Sequence, residues 1–549
     1  MKIACSYLCD YRDRNDYFLS LMPWGISSIA AYLERENHTV ILANLSQHGA
    51  IKGAEIILKE KPDAVAVSIF SFNRTESFQL IRELKRKNRN LIIIAGGQHP
   101  TFLHEQILSE YPEIDYIVRG EGEAATAKLL GDLKSHERSR VITKERIADL
   151  DSLPIPAMFG GKMIGVDPHE QFRYIITTRG CPSKCRYCSS PYFWGRKVTY
   201  RSPANIVAEL QYIREKYGII YCSIRDDNFT IDKKRVLEFC RLLGESGTYM
   251  MWNCQARVDT VDLEMLVAMK RCGLEHIQFG VESGSEKMLR LYDKATSLER
   301  IRRASAAARK AGVYLSFYLM AGMEGEEDAD IESTISLMRS ALPHDAIVSP
   351  VAYYPGTGIY ERAKEEGKID DAIWNRKKDS GLYVMDRKET KGWIKRLLKE
   401  SSAVSSQAVY NTEDFAAHRK AAGEDCWMTD LLEGDFYLDS GEIERAVATY
   451  KRVISRHPEN IWGYLKSAEA LSEASPAEAI RMFKKAAQKV PSYHGTWLRI
   501  AQLEYENGHF DAARKSAEKS LSLDPYDSET VAFLQFLSKR QTKRKRSTN

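Results

Sequence analysis

The chain has 549 residues, of which 44% are hydrophobic and 28% charged, and a formal net charge of +5. These are the proportions of globular protein, with length for roughly three to four domains, and so small a charge gives no compositional support to a nucleic-acid or anionic-membrane partner. No apolar run approaches the roughly 18–20 residues of a membrane span, the opening Met1-Lys2-Ile3-Ala4-Cys5 lacks a signal-peptide core, and ten mostly scattered cysteines fit a reducing compartment, so the expected location is cytoplasmic.

Across residues 1–145, short apolar runs at Lys2–Ser6, Thr39–Leu45, Ala64–Phe70, Leu91–Ala95 and Tyr116–Val118 alternate with amphipathic stretches. Runs of this kind read as buried strands, and their alternation with helices predicts a flavodoxin-like doubly wound parallel sheet with its ligand beyond the carboxyl strand ends. Those ends carry Gly96-Gly97-Gln98-His99-Pro100-Thr101 and Arg119-Gly120-Glu121-Gly122-Glu123. Paired glycines let backbone approach a flat or anionic ligand closely; ordinary tight turns are the plain alternative. No G-x-G-x-x-G follows the first strand, which argues against a dinucleotide.

Residues 146–170, with Asp149-Leu150-Asp151-Ser152-Leu153-Pro154-Ile155-Pro156, read as an extended linker. From 171 to 375, strand patterns recur near 173–178, 219–225, 249–254, 275–281, 313–319 and 346–352, predicting a partial (β/α)6 barrel with its chemistry at the carboxyl strand ends. The first end holds Cys181, Cys185 and Cys188 at C-x3-C-x2-C spacing. Three thiolates so close suit an iron–sulfur cubane with one iron left open; structural zinc prefers four ligands in C-x2-C pairs, and no second pair occurs downstream. The later ends carry Asp226-Asp227-Asn228, Gln255-Ala256-Arg257, Gly280-Val281-Glu282-Ser283-Gly284, Met320-Ala321-Gly322 and Tyr353-Tyr354-Pro355. Singly, Asp226 and Asp227 suit a helix cap and Arg257 a pair with Asp259; together they suit a zwitterionic, adenosine-bearing ligand.

The central region resembles the radical S-adenosylmethionine (SAM) superfamily through the three cysteines, Tyr187 before the last of them, and Gly280-Val281-Glu282-Ser283-Gly284. The first domain is similar to the cobalamin-binding domain ahead of many such enzymes, through Pro23-Trp24-Gly25, Gly96-Gly97-Gln98-His99-Pro100-Thr101 and Gly120-Glu121-Gly122-Glu123. The D-x-H-x-x-G motif that supplies an axial histidine to cobalt in other families is missing, as it commonly is in these relatives. At the fifth strand end Glu324 stands where relatives carry the proline of Gly-x-Pro-Gly-Glu.

The resemblance implies a [4Fe-4S] cluster on Cys181, Cys185 and Cys188. It implies SAM bound by Tyr187, Asp226, Arg257, Glu282, Ser283, Gly284 and Gly322, and cleaved to a 5′-deoxyadenosyl radical. It further implies cobalamin bound by Trp24, Ser68, Phe70, Phe72, Gly96, Gly97, His99, Pro100, Gly120 and Glu121. Tyr353 and Tyr354 are candidates for the substrate pocket. The family is further expected to draw electrons from a donor such as flavodoxin or ferredoxin.

Residues 376–425 read as a charged helical connector that either covers the barrel or merely joins domains. Between 426 and 537, Pro458, Pro491 and Pro525 recur at intervals of 33 and 34, in phase with Ala446, Ala479 and Ala513, with Gly434, Ala468 and Ala501, and with Tyr450, Phe483 and Ala517. This pattern matches the tetratricopeptide repeat, an all-α array that usually binds protein or peptide. Residues 538–549, with Lys539-Arg540-Gln541-Thr542-Lys543-Arg544, read as a basic disordered tail. The expected function is cobalamin-dependent radical C-methylation of a small-molecule, peptide or carrier-bound substrate. Cyclisation, rearrangement or oxidation with the same cofactors is one alternative, and a repeat-based adaptor with vestigial cofactor domains another.

Overall fold

The computed structural model describes residues 1–10, 17–133, 139–375 and 382–547. The first sheet comprises β1 (Lys2–Tyr7), β2 (Thr39–Asn44), β3 (Ala64–Ser68), β4 (Ile92–Gly96), β5 (Tyr116–Arg119), β6 (Val141–Thr143) and β7 (Lys162–Ile164). Its order is β6-β5-β4-β3-β1-β2-β7, with every pairing parallel. Every residue of β3 is buried, which is why its sequence is a continuous apolar run rather than an alternation. The two outer strands extend the five anticipated ones; β7 lies within the stretch expected to be a plain connector and pairs with β2 from Ile41↔Lys162 to Ala43↔Ile164.

The central sheet begins at β8 (Tyr174–Ile175), is followed by a small antiparallel pair, β9 (Thr178–Arg179) with β10 (Thr199–Tyr200), and continues through β11 (Tyr221–Ile224), β12 (Met251–Arg257), β13 (Leu274–Glu282), β14 (Tyr314–Ala321) and β15 (Asp345–Pro350). Its order, β15-β14-β13-β12-β11-β8, is an open six-stranded parallel array. An open edge needs covering. The connector helix Lys388–Ala408 does this, packing Trp393, Leu397 and Val404 into the barrel core.

Behind it come three helix pairs, from Trp427–Asp439 to Phe510–Leu523, and a last helix, Ser528–Ser547. The repeating small residues Ala446, Ala468, Ala479, Ala501, Ala513 and Ala517 are all fully buried. A Cβ on Gly434 would lie 2.2 Å from the Tyr450 ring, so this crossing needs glycine. The basic stretch 539–546, expected to be disordered, continues the last helix through Ser547; Lys, Arg and Gln are good helix formers and no Gly or Pro interrupts them. Among the described residues no helix is long and apolar enough to cross a membrane.

A candidate active site shared by two domains

Gly180, at φ +104, opens the cysteine loop, and a Cβ there would sit 2.1 Å from the Lys197 carbonyl. The loop is held by Arg186 N–H to the Tyr292 carbonyl at 3.0 Å and by Cys188 N–H to the Cys185 carbonyl at 3.2 Å. Cys181 and Cys185 are buried and Cys188 half-buried. Burial pushes the Cys188 thiol up to about 12, with Asp227, Cys185 and Cys181 adding to it. A bound metal inverts that preference for the neutral thiol by binding thiolate. An Arg257 N–H also reaches Cys185 Sγ at 3.6 Å. The donor set therefore fits a thiolate-bound iron–sulfur cluster.

Beside the loop, Tyr187 donates its O–H to Glu282 at 2.9 Å, and Lys294 Nζ reaches the same carboxylate at 2.6 Å. Glu282 sits at φ +67 where the β13–β14 register slips. A non-glycine residue there is strained by about 1–3 kcal/mol, and the Lys294 contact holds it. A Cβ on Gly280 would lie 2.8 Å from the Glu282 carboxylate, so that glycine makes room for it. Arg257, which is buried, pairs with Asp259 at 3.0 Å while reaching the cysteine.

The other residues assigned to SAM are turned to internal bonds. Asp226, 1% exposed, accepts the Thr177 and Thr178 amides at 2.6 and 3.0 Å and also bonds the Thr177 hydroxyl, pinning β8 to β11. Ser283 meets the Thr334 hydroxyl at 3.2 Å, and a Cβ on Gly284 would strike the Ser333 carbonyl at 2.6 Å. Gly322, at φ +94, makes room for Thr390 of the connector helix, 2.6 Å from its ideal Cβ. Tyr353 is buried in the apolar cluster under the first sheet, whereas Tyr354 is 44% exposed.

Between the two sheets lies a cavity of about 310 Å³. Trp24, Ser68, Phe70, Gly96, Gly97, Gly120 and Glu121 line it from the first domain; Thr178, Arg179, Phe193, Trp194, Arg225 and Asp227 line it from the barrel. Ideal Cβ atoms on Gly25 and Gly120 meet nothing within 4 Å, and one on Gly96 meets only the Val118 carbonyl at 3.7 Å. A bare-backbone floor under an aromatic wall fits a flat macrocycle. Phe72, His99 and Pro100 are not among its lining residues: Phe72 stacks behind Phe70 at 5.2 Å, and His99 is buried against Trp374, bonded to the Ser71 hydroxyl. Burial, with the Arg74 charge adding to it, drops the His99 imidazole to about 3.

Sequence reasoning missed the joint between the domains. Arg179, one residue before the cysteine loop, donates to Glu121 at 2.8 Å and to Glu123 at 2.6 Å, all three side chains being nearly inaccessible. Burial pushes the Glu123 carboxyl up, but the Arg179 guanidinium outweighs it and holds the group below its ordinary value. Linker residue Arg146 donates to the carbonyls of Trp194, Lys197 and Arg179, strapping the same loop. Ser190 Oγ donates to Asp227 at 2.5 Å, so Asp227 touches both the cysteine loop and the cavity. The one signal in the sequence was the adjacency of Arg179 to Gly180-Cys181 and of Glu121 and Glu123 to a glycine turn.

A three-thiol loop at the first strand end of an open parallel barrel, facing a glycine-floored cavity under a doubly wound domain, defines a radical SAM enzyme with a corrinoid-binding partner domain. Residues 175–338 match the radical SAM superfamily, 17–130 the B12 binding domain, and 431–460 and 470–532 tetratricopeptide repeats. The chain is a cobalamin-dependent radical SAM enzyme with a repeat array at its carboxyl end. It is 26% identical over 399 residues to an uncharacterized methyltransferase of Pyrococcus horikoshii, covering 69% of this chain and 86% of that one. It is 24% identical over 375 residues to the anaerobic magnesium-protoporphyrin IX monomethyl ester cyclase of Rubrivivax gelatinosus, covering 64% and 67%. Its fold resembles the methyltransferase TsrM of Kitasatospora setae, solved with cobalamin and a [4Fe-4S] cluster, at TM-score 0.55 and 16% identity over 66% of this chain and 75% of that one.

Proposed function

We propose that this enzyme transfers a methyl group to an unactivated carbon of a small-molecule, peptide or carrier-bound substrate. The observation that carries the reading is the common wall: Arg179 and Asp227, from barrel strand ends beside the cysteine loop, also line the glycine-floored cavity of the first domain. When bound, the cluster supplies the electron that cleaves SAM and the corrinoid supplies a transferable methyl group. Cys181, Cys185 and Cys188 would hold the cluster; Trp24, Phe70 and the glycine turns would hold the corrinoid. The chain's own groups then position and shield. Glu282, fixed by Tyr187 and Lys294, presents a carboxylate suited to ribose hydroxyls. Trp24, Phe70, Phe193 and Trp194 keep the space between the sites apolar, as a radical reaction requires. Arg179, locked by Glu121 and Glu123, fixes the distance between the two domains. Likeness to methyltransferase-named relatives supports this reading; likeness to the cyclase supports a second, in which the same sites close a ring without methyl transfer.

The test is anaerobic reconstitution with iron, sulfide and cobalamin, then incubation with methyl-labelled SAM and a reductant such as flavodoxin or ferredoxin. About four irons per chain, a bound corrinoid and label moving onto that corrinoid are expected. Cys185→Ala should lose iron and abolish 5′-deoxyadenosine release. Label found only in methionine and unspent SAM, with none on the corrinoid or a product while 5′-deoxyadenosine accumulates, would favour ring closure.

A further inference from the structure

The repeat array meets the catalytic body through its helix starts and inter-repeat turns, in a series of contacts at the amino ends of the barrel strands, opposite the cysteine loop. At the first, Trp427 Nε1 donates to the Arg271 carbonyl at 3.1 Å and Arg271 pairs with Asp425 at 2.8 Å. At the second, Trp462 Nε1 donates to the Tyr249 carbonyl at 3.1 Å. At the third, Ser492 Oγ donates to the Arg214 carbonyl at 2.9 Å. Each of these is closed by direct hydrogen bonds.

The fourth is different. His169, in the short helix Pro168–Gln171, meets His494 and Asp524 of the last repeat, with one potential ligand atom from each lying within 4.8 Å of the others. Asp524 is 3% exposed; its Oδ1 accepts the Tyr526 amide at 2.9 Å, which leaves Oδ2 at 3.6 Å from His494 Nδ1 and 3.9 Å from His169 Nδ1. Those separations exceed the roughly 2.7–2.9 Å of a charge-assisted hydrogen bond. His494 Nδ1 is buried without a hydrogen-bond partner. His169 Nδ1 lies 2.8 Å from the Tyr217 carbonyl; an N–H donated there leaves Nε2 with its lone pair, the arrangement metal-bound imidazoles adopt. Asp167, Glu170 and Asp527 line the adjoining cleft and give it a negative field. Two imidazoles and a carboxylate, with a ligand atom from each within 4.8 Å of the others, leave a gap that one ion with bonds of about 2.0–2.2 Å closes by small shifts.

We propose that His169, His494 and Asp524 bind a divalent first-row cation, Zn²⁺ by the borderline character of the donors, with water completing its shell. The ion clasps the last repeat to the segment that joins the cofactor domains. Gln171, two residues from His169, exchanges hydrogen bonds with the Met22 backbone at 2.8 and 3.0 Å, and Trp24 of the cavity wall is two residues further on. The clasp stands independently of methyl transfer.

The test is elemental analysis of the cluster-loaded, corrinoid-loaded enzyme after incubation with Zn²⁺ and desalting. About one zinc per chain beside the iron is expected, falling at least about tenfold in His494→Ala and in Asp524→Asn while iron and corrinoid contents stay put. Because either variant risks misfolding, wild-type holoenzyme stripped with a zinc chelator provides a second reading. Its array should be cleaved faster by protease, and restored Zn²⁺ should reverse that. Wild-type enzyme holding under about a tenth of an equivalent, or zinc that survives undiminished in a folded variant, or proteolysis indifferent to chelation, overturns the proposal.

Discussion

The buried joint at Arg179 makes the sharpest prediction. Arg179→Met keeps the length and apolar stem of the side chain but removes the cation from two carboxylates whose side chains are 4% and 3% exposed. Charge centres about 4 Å apart attract by about 4 kcal/mol each at an effective dielectric of about 20. Desolvation of three charges offsets most of that, so the intact triad contributes little net stability, whereas breaking it costs about 3–5 kcal/mol. The loss has a ceiling, because an orphaned carboxyl can take up a proton instead of staying charged, at about 1.4 kcal/mol for each pH unit between its unfolded pKa and the working pH. That sets the sign of the pH dependence. In the variant the folded carboxyl titrates above its unfolded value, so stability is lost as pH rises, and the difference from wild type is larger at pH 8 than at pH 5. Urea unfolding at both pH values reads it, and Arg179→Met/Glu123→Gln should recover part of the loss. A cost under about 1 kcal/mol that does not change with pH would refute the assignment of this triad as the joint.

Gly25→Leu places a side chain where an added Cβ meets nothing, within a helical turn that tolerates leucine. Urea stability should change by less than about 0.5 kcal/mol while corrinoid retention after desalting falls sharply; retention equal to wild type would remove this glycine from the cavity floor. His99 is held neutral, at about 3 against an ordinary 6.5. Its contribution is present above pH 6.5 and lost as pH falls toward 3, amounting to about 3 kcal/mol at pH 4. His99→Gln should flatten the acid limb of the stability curve between pH 6.5 and 4, as followed by circular dichroism; an unchanged limb would show that other groups govern it.

Much of the architecture was legible because burial writes itself into sequence. Strands buried on both faces read as apolar runs, and the repeat array announced itself because the same small residue is needed at every helix crossing. The outer strands β6 and β7, three residues each, are too short for any period to show. The cysteine loop was legible because Cys181, Cys185 and Cys188 converge on one centre from a single short stretch of chain. The joint was not, since Arg179 and Glu123 stand 56 positions apart and meet only when two domains fold together. Proximity in sequence also misled: Gly97, at φ +105, sends Gln98 to the cavity wall and turns the next residue, His99, toward Trp374. The strand-end residues divide by the same logic. Glu282 needs a strained backbone and a lysine partner to face the site, while Asp226, Ser283 and Gly284 sit close by but are bonded or packed against neighbouring strands and helices. A motif therefore marks where the chain turns at a site; which of its side chains face the ligand depends on partners that come from elsewhere in the chain.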